Sequence, residues 1–278
     1  MKLHSIIFDN YIEEIIMYKV IALNVNATEK EKSCTEIDKL LKDIGFSGTV
    51  HVRIGKEIVY DFFTQPFNKD TQFKIASLTK QFTAMAIMQL VEKNTFSLDT
   101  PLNTFDFLEG FPNGENITIR HLLNMTSGFK TQTIEDIDES QKRSLDELVA
   151  LIKEQVKKDD NREKLTKPGT NFCYSNMNYQ LLAFIIEKIS RQNYEKYMKE
   201  HIFEPLGMNR SSANYIDENK PVGYIGFGSE KAPETDPSNN MGAGCFKMSP
   251  NDFMKWLNHL AKIKSGVKGG RITKSSFD

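Results

Sequence analysis

The feature that most constrains this chain is a long apolar run headed by a serine and a lysine three positions apart. Ser77-Leu78-Thr79-Lys80 leads into a stretch from Phe82 to Val91 in which nearly every position is apolar. A sequence without a wide polar face predicts a helix that is buried on most sides. Any fold of this chain must enclose that helix and accommodate a lysine at its start.

The spacing of the two polar residues has chemical consequences. Residues three apart lie on one face of a helix, so Lys80 is expected to point its amine toward the Ser77 hydroxyl. Burial lowers the pKa of a lysine from about 10.4, and a neutral amine beside a hydroxyl is a general base beside a nucleophile. The alternative is structural: Ser77 caps the helix and Lys80 is a solvated first-turn residue.

Spacing alone does not decide between these interpretations, because it also occurs at 127–130 and 265–268. In both of those places a glycine directly follows the serine, which favours a turn over a helix start. Only Ser77 opens a long apolar segment, so Ser77 and Lys80 are the candidate nucleophile and base.

Composition excludes several classes of function. The 278 residues can bury a large core, and a net charge of -1 without long single-sign runs argues against nucleic acid or an anionic membrane as partner. Three scattered cysteines without C-x-x-C indicate neither a disulfide framework nor a metal site. Neither a transmembrane segment nor a signal peptide is predicted, so a cytoplasmic location is expected, with export as the open alternative.

Residues 1–30 carry no framed pattern and are interpreted as an N-terminal extension of uncertain structure. Periodicity and turn signals predict the following elements in the rest of the chain: a helix from Thr35 to about Asp43, a hairpin of strands at 50–54 and 58–63, a helix from the capping box at 144–147 to Val156, a solvated loop at 157–164, a helix from about Tyr179 to Ile189, and a last helix from Ser249 to Gly266.

A second candidate site stretch is Tyr174-Ser175-Asn176, the only Tyr-x-Asn in the chain, which follows a Pro168-Gly169 turn. The structural interpretation is a packed tyrosine, with Asn176 capping the next helix. The functional interpretation is a phenol and an amide at a loop mouth, where both could reach Ser77. The residues alone leave both interpretations open.

An ordered series of motifs resembles the serine β-lactamase-related hydrolases, the group of class C β-lactamases, D-alanyl-D-alanine carboxypeptidases and related esterases. The motifs are Phe46-Ser47-Gly48, the segment 73–82 around Ser77 and Lys80, the segment 117–123 with Thr126-Ser127-Gly128, Pro168-Gly169 before the segment 174–179, Pro205-Leu206-Gly207-Met208, and Gly242-Ala243-Gly244.

The resemblance implies an α+β fold: an antiparallel sheet flanked by helices, with an all-helical region, in a β-lactamase/transpeptidase-like domain at 31–278. Ser77 would be the acylated nucleophile, Lys80 would take its proton, and Tyr174 would be a second base or proton shuttle. Asn176 would position the amide or ester of a small-molecule or peptide substrate. No metal and no organic cofactor is implied.

Two departures from the family pattern stand out. Met125 replaces the usual His before Thr-Ser-Gly and is interpreted as a local packing change. The family's third motif lies on a sheet strand beyond Gly242-Ala243-Gly244, and no equivalent is recognised in this sequence. Lys268-Gly269-Gly270 has a similar sequence, but it directly follows the last helix, where the family has a loop. It is therefore interpreted as a decoy, that is, a chance match. The domain is therefore expected to lack its C-terminal sheet strands, and a hairpin left with an open edge favours self-association.

Two hypotheses follow. The first is a serine acyl hydrolase acting through an acyl-enzyme on an ester, a peptide or a β-lactam amide. The second is a truncated relative with impaired or no catalysis that binds its ligand. An α/β-hydrolase triad is disfavoured because the chain contains no G-x-S-x-G.

Overall fold

The structure is a computed structural model that describes residues 27–54, 57–131, 133–135, 137–162, 165–218, 220–224, 231–266 and 272–273. The fold is α+β, as predicted, with helices packed around short antiparallel sheets. The α-helices in chain order are α1 (Ala27–Asp43), α2 (Thr79–Glu92), α3 (Ile119–Leu123), α4 (Leu145–Arg162), α5 (Asn176–Ser190), α6 (Tyr194–Met198) and α7 (Pro250–Lys264). The strands are β1 (Thr49–Ile54), β2 (Glu57–Phe63), β3 (Phe73–Lys74), β4 (Ser211–Ser212) and β5 (Lys247–Met248).

Helix α2 lies at the centre of the core. Phe82, Ala86 and Ile87 are completely buried, and the Phe82 ring lies 4.4 Å from the Trp256 ring of α7 and 5.6 Å from the Phe203 ring. The same helix packs against α5 and α6. The burial predicted from the apolar run is therefore confirmed, and it explains why polar groups on α2 must find partners inside the protein.

The three-stranded sheet brings the segment before Ser77 close to the segment after Gly242-Ala243-Gly244. Strand β5 lies between β3 and β4, with Met248 opposite both Phe73 and Ser211. Residues 73–74 come shortly before Ser77, and residues 247–248 come shortly after Gly242-Ala243-Gly244. Antiparallel pairing of these strands brings two chain segments some 170 positions apart to the same end of α2.

The predicted hairpin is present, with a register that runs from Thr49 opposite Phe63 to Ile54 opposite Glu57. It pairs with no third strand among the residues that the structure describes. Helix α1 covers part of it, where the Tyr60 hydroxyl donates to Asp38 at 2.5 Å.

Three helix boundaries differ from prediction. Helix α1 begins at Ala27 instead of Thr35, so it includes the last residues of the predicted extension; residues 1–26 lie outside the described chain. Helix α5 begins at Asn176 instead of Tyr179. The predicted loop at 157–164 is wrong up to Arg162, because α4 continues to that residue.

The capping box of α4 is confirmed. The Glu147 carboxylate accepts from the Ser144 backbone N–H at 2.7 Å, and the Ser144 hydroxyl accepts from the Glu147 N–H at 3.2 Å. At the last helix, the Ser249 side chain likewise accepts from the Asp252 N–H, with Pro250 in the first turn.

Candidate active site

Ser77 lies on a 3₁₀ turn, Ala76–Leu78, that connects β3 to α2. The residue before it, Ala76, has a φ of +43°, in the left-handed region that L-residues seldom occupy. Such strain persists only where surrounding contacts fix it; here the neighbouring Ile75 N–H donates to the Phe246 carbonyl at 3.0 Å. The sharp turn leaves Ser77 exposed while the helix that follows is buried.

Lys80 lies one helical turn later and is only 7% exposed. Its amine Nζ is 3.1 Å from Ser77 Oγ, 2.8 Å from Asn176 Oδ1 and 2.8 Å from the Ala243 carbonyl oxygen. Burial lowers the pKa of Lys80 to about 7. The amine therefore exists partly in its neutral form near pH 7.

Two aromatic rings complete the surroundings of this amine. Lys80 Nζ lies 5.0 Å from the centre of the Tyr174 ring and 5.8 Å from the centre of the Tyr179 ring. Ring faces attract cations, so they favour the ammonium form that exists after a proton has been taken up. Tyr179 is held in place by its hydroxyl, which donates to the Leu123 carbonyl at 3.0 Å.

Tyr174 closes the site from the loop before α5. Its hydroxyl is 2.6 Å from Ser77 Oγ. Burial raises the pKa of Tyr174, and the hydrogen bond with Ser77 offsets part of that effect, so the phenol is protonated at neutral pH. The loop is held against the turn after α3 by the Cys173 N–H, which donates to the Met125 carbonyl at 2.9 Å, and by the Gly169 N–H, which donates to the Thr126 carbonyl at 2.8 Å.

Asn176 is the first residue of α5, and the N-cap position belongs to Ser175, whose side chain makes no capping hydrogen bond. Instead, the side-chain oxygen Oδ1 of Asn176 accepts a hydrogen bond from Lys80 Nζ. Ser77 does not cap α2 either, since the N-cap of that helix is Leu78 and Lys80 is buried. The predicted helix caps at Ser77 and Asn176 and the predicted solvation of Lys80 are therefore wrong, whereas the catalytic roles of these residues stay a prediction.

Sequence reasoning missed two contributors, the Ala243 carbonyl and the Tyr179 ring. In the sequence, Gly242-Ala243-Gly244 stands out only as a family motif; the longer stretch 242–246 is called the glycine-rich segment. A backbone carbonyl leaves no residue-type signal, but the glycine beside it does: Gly242 has a φ of +77°, and a Cβ there would lie 2.4 Å from the Tyr179 carbonyl oxygen. Such close approach marks a segment wedged against α5.

Within the described ranges, no cluster of histidine, cysteine or acidic side chains could hold a metal ion, and no helix is long and apolar enough to cross a bilayer. The cytoplasmic location stays a prediction. The decoy interpretation of Lys268-Gly269-Gly270 falls at residues outside the described part of the chain.

A serine and a buried lysine one helical turn apart, beneath a tyrosine in an α+β fold, define the class of serine β-lactamases and penicillin-binding proteins that the motifs resemble. Comparison with known proteins agrees: the family described as Beta-lactamase matches residues 36–275, and the chain belongs to that family.

Several relatives are similar to this chain. Protein PbpX of Bacillus subtilis (strain 168) is 33% identical over 234 residues, which cover 80% of this chain and 56% of PbpX. An octameric penicillin-binding protein homologue from Pyrococcus abyssi superposes with a TM-score of 0.72 at 28% identity, covering 91% of this chain and 59% of that one. A mutant of a class C β-lactamase shares the fold, with a TM-score of 0.71 at 19% identity, covering 92% of this chain and 71% of that one.

The chain thus spans little more than half the length of PbpX and of the Pyrococcus homologue. The matches with these two proteins are partial for the relatives but cover 80% and 91% of the present chain, respectively.

Proposed function

We propose that this chain is a serine acyl hydrolase in which Ser77 is the nucleophile, Lys80 and Tyr174 move the proton, and Asn176 holds the substrate. The observation that carries the proposal is the convergence of Lys80 Nζ at 3.1 Å and Tyr174 Oη at 2.6 Å on Ser77 Oγ. Both distances are within the reach of direct proton transfer.

The hydrogen-bond partners of Lys80 support its role as the base. A neutral amine has two N–H groups and one lone pair, whereas the Asn176 and Ala243 oxygens can only accept. These two oxygens occupy both N–H groups, which leaves the lone pair for the Ser77 O–H. The protonated phenol of Tyr174 then donates to Ser77 Oγ from the other side.

The proposed reaction follows from this arrangement. Ser77 Oγ attacks the substrate carbonyl carbon, and its proton moves to Lys80. Tyr174 then gives its phenolic proton to the leaving alcohol or amine as the bond to the carbonyl carbon breaks, and it takes up in exchange the proton held by Lys80. In the second half, water gives up a proton along the same route and attacks the acyl-enzyme, and Ser77 regains its proton as the acid is released.

The substrate class is proposed as an ester, a peptide or a β-lactam amide. Its support is family membership together with the Pyrococcus relative, which is called a penicillin-binding protein homologue. The Asn176 oxygen is engaged by Lys80, so the amide nitrogen is the group proposed to donate to a substrate carbonyl.

Covalent labelling tests the proposal. A fluorophosphonate or a penicillin probe is expected to label the wild type and not Ser77→Ala or Lys80→Met, in intact-protein mass spectrometry. Ser265→Ala is the matched control, because it removes an exposed serine with the same Ser-x-x-Lys spacing and should leave labelling unchanged. A folded wild type that reacts with neither probe would contradict the proposal.

The second candidate is a relative that binds its ligand without turnover. Its support is that the matches cover only 56% of PbpX and 59% of the Pyrococcus homologue. In that case titration calorimetry with a penicillin would give the same affinity for the wild type and Ser77→Ala, and no product would form.

We further propose self-association through the β1–β2 hairpin. The hairpin edges pair with no other strand among the described residues, and Ile54 and Ile58 at its tip are 46% and 53% exposed. The Pyrococcus relative is octameric, which gives a precedent for assembly in the family. Unpaired edges are templates for another chain.

A further inference from the structure

Three polar side chains of α2 bind consecutive parts of the glycine-rich segment. Thr83 Oγ1 donates to the Gly242 carbonyl at 2.8 Å, Lys80 Nζ donates to the Ala243 carbonyl at 2.8 Å, and Thr79 Oγ1 accepts from the Phe246 N–H at 3.2 Å. Thr79 and Thr83 are completely buried. The face of α2 that carries Lys80 is therefore fastened to the segment on both sides of the lysine.

The direction of the hydrogen bonds around Thr83 is fixed. A threonine hydroxyl has one proton, and the Gly242 carbonyl can only accept it. The Tyr194 hydroxyl, 2.7 Å from Thr83 Oγ1, must therefore be the donor in that pair. Burial raises the pKa of Tyr194 well above its usual value, so its proton stays in place at all pH values of interest.

Tyr194 is itself immobilised. It begins α6, its backbone N–H donates to Glu187 Oε2 at 2.8 Å, and its ring stacks on the Phe246 ring with centres 5.8 Å apart. It therefore holds the glycine-rich segment at both ends, through Thr83 to Gly242 and directly at Phe246.

We propose that Thr83 and Tyr194 are positioning residues for Lys80, which fix the Gly242 carbonyl and with it the adjacent Ala243 carbonyl that orients the amine toward Ser77. Neither residue contacts the reacting atoms. The inference deepens the proposed function and rests on it for its catalytic consequence, whereas the orientation of Lys80 can be measured without turnover.

Weakening the hydrogen bond between Lys80 and the Ala243 carbonyl is expected to lower the pKa of Lys80. A carbonyl accepts more strongly from an ammonium than from a neutral amine, so the charged form loses more when the contact weakens. Among the described residues, the ionisable groups around Lys80 are Tyr174, Tyr179 and Cys245, and burial keeps all three protonated by raising the pKa of each, to about 12 for Tyr179 and Cys245. None of these groups adds a charge near neutral pH, so the lysine pKa reports on its own contacts.

The test compares Thr83→Val, which removes the hydroxyl, with Thr83→Ser, which keeps it, and with Tyr194→Phe. Tyr197→Phe is the matched control: it lies on the same helix, is equally buried, and its hydroxyl has no hydrogen-bond partner within the described residues. The first readout is the pH titration of the Lys80 Cε resonance in protein containing carbon-13 lysine, with the resonance identified by its loss in Lys80→Met.

Thr83→Val is expected to lower the titration midpoint by more than about half a pH unit, with Tyr194→Phe in the same direction by less. Thr83→Ser and Tyr197→Phe should match the wild type. The second readout, the rate of Ser77 acylation by a fluorophosphonate, should fall about tenfold to a hundredfold in Thr83→Val and recover in Thr83→Ser.

An unchanged or raised midpoint in both Thr83→Val and Tyr194→Phe would overturn the inference, as would a wild-type acylation rate in folded Thr83→Val. If Thr83→Val does not fold, the result for Tyr194→Phe tests the inference alone. That variant keeps the hydrogen bond from Thr83 to Gly242 and removes only the hydrogen bond that Tyr194 donates to Thr83. If the midpoint shifts in Thr83→Val and Tyr194→Phe but neither the wild type nor any variant is acylated, the positioning role stands and the proposed hydrolase function fails.

Discussion

At the scale of single residues, the charge of Lys80 controls the proposed chemistry. Its pKa is lowered to about 7 by burial, so the neutral base is the minor form below that pH and the major form above it. The rate of Ser77 acylation should therefore rise about tenfold per unit as pH increases toward 7 and level off above it. Stopped-flow labelling across this range measures the profile.

Lys80→Arg provides the control for that prediction. A guanidinium keeps its charge throughout the range and cannot take a proton, so labelling should be lost at every pH. A wild-type rate that is flat or falls as pH rises through 7 would mean that another group supplies the base.

The residues of the site differ in how far the sequence predicts them. Ser77 and Lys80 are predictable because one helical turn joins them and a helix is a local structure. Tyr174 and Asn176 need the family motif, since 97 and 96 positions separate them from Ser77 and Lys80 respectively. The Ala243 carbonyl is 163 positions from Lys80 and belongs to the backbone, so its own residue type does not predict it, and only the neighbouring Gly242 signals a close approach.

At the scale of elements, the fit of the glycine-rich segment between α2 and α5 should be intolerant of side chains. Gly242→Ala places a Cβ 2.4 Å from the Tyr179 carbonyl oxygen and 2.6 Å from Ala183 Cβ. Besides the roughly 1 kcal/mol of a left-handed alanine, it should lose a further ~1–3 kcal/mol from overpacking. Urea unfolding measures the difference.

Gly110→Ala is the matched control for that substitution. Gly110 has a φ of +68°, close to that of Gly242 at +77°, and a Cβ there meets no atom within 4 Å. The two variants therefore share the backbone strain and differ in the collision. Equal losses of stability would show that the segment can move away from α5, and would weaken the link between its position and Lys80.

The boundaries of the elements show where tertiary contacts outweigh sequence pattern. Helix α4 runs into a charged stretch predicted as a loop, because Asp159 is buried and accepts from Gln155 at 2.9 Å and from Thr131 at 3.1 Å. Lysine and arginine, which occupy 157, 158 and 162, are also good helix formers, so a charged stretch can extend a helix. The start of α4, set by a local capping box, is predictable from the sequence.

At the scale of the whole molecule, the helix at the centre of the core is packed on more sides than the β1–β2 hairpin is, among the described residues. Helix α2 is enclosed by α5, α6 and α7, whereas the β1–β2 hairpin has α1 against it and no third strand among the described residues. A two-stranded sheet is marginal in water by itself. Contact with α1 gives the hairpin part of its burial, and the proposed contact with a second copy of the chain would add to it.

The proposed self-association makes a prediction on that basis. Wild-type protein should sediment as oligomers whose size increases with concentration, and Ile58→Lys should shift it toward monomer, because a charge at an exposed strand position disfavours edge pairing. Leu257→Lys on α7 is the matched control, since Leu257 is 41% exposed against 53% for Ile58 and lies outside the hairpin. Association that persists equally in both variants would show that another surface mediates it, and a wild type that is monomeric throughout would contradict the proposed self-association.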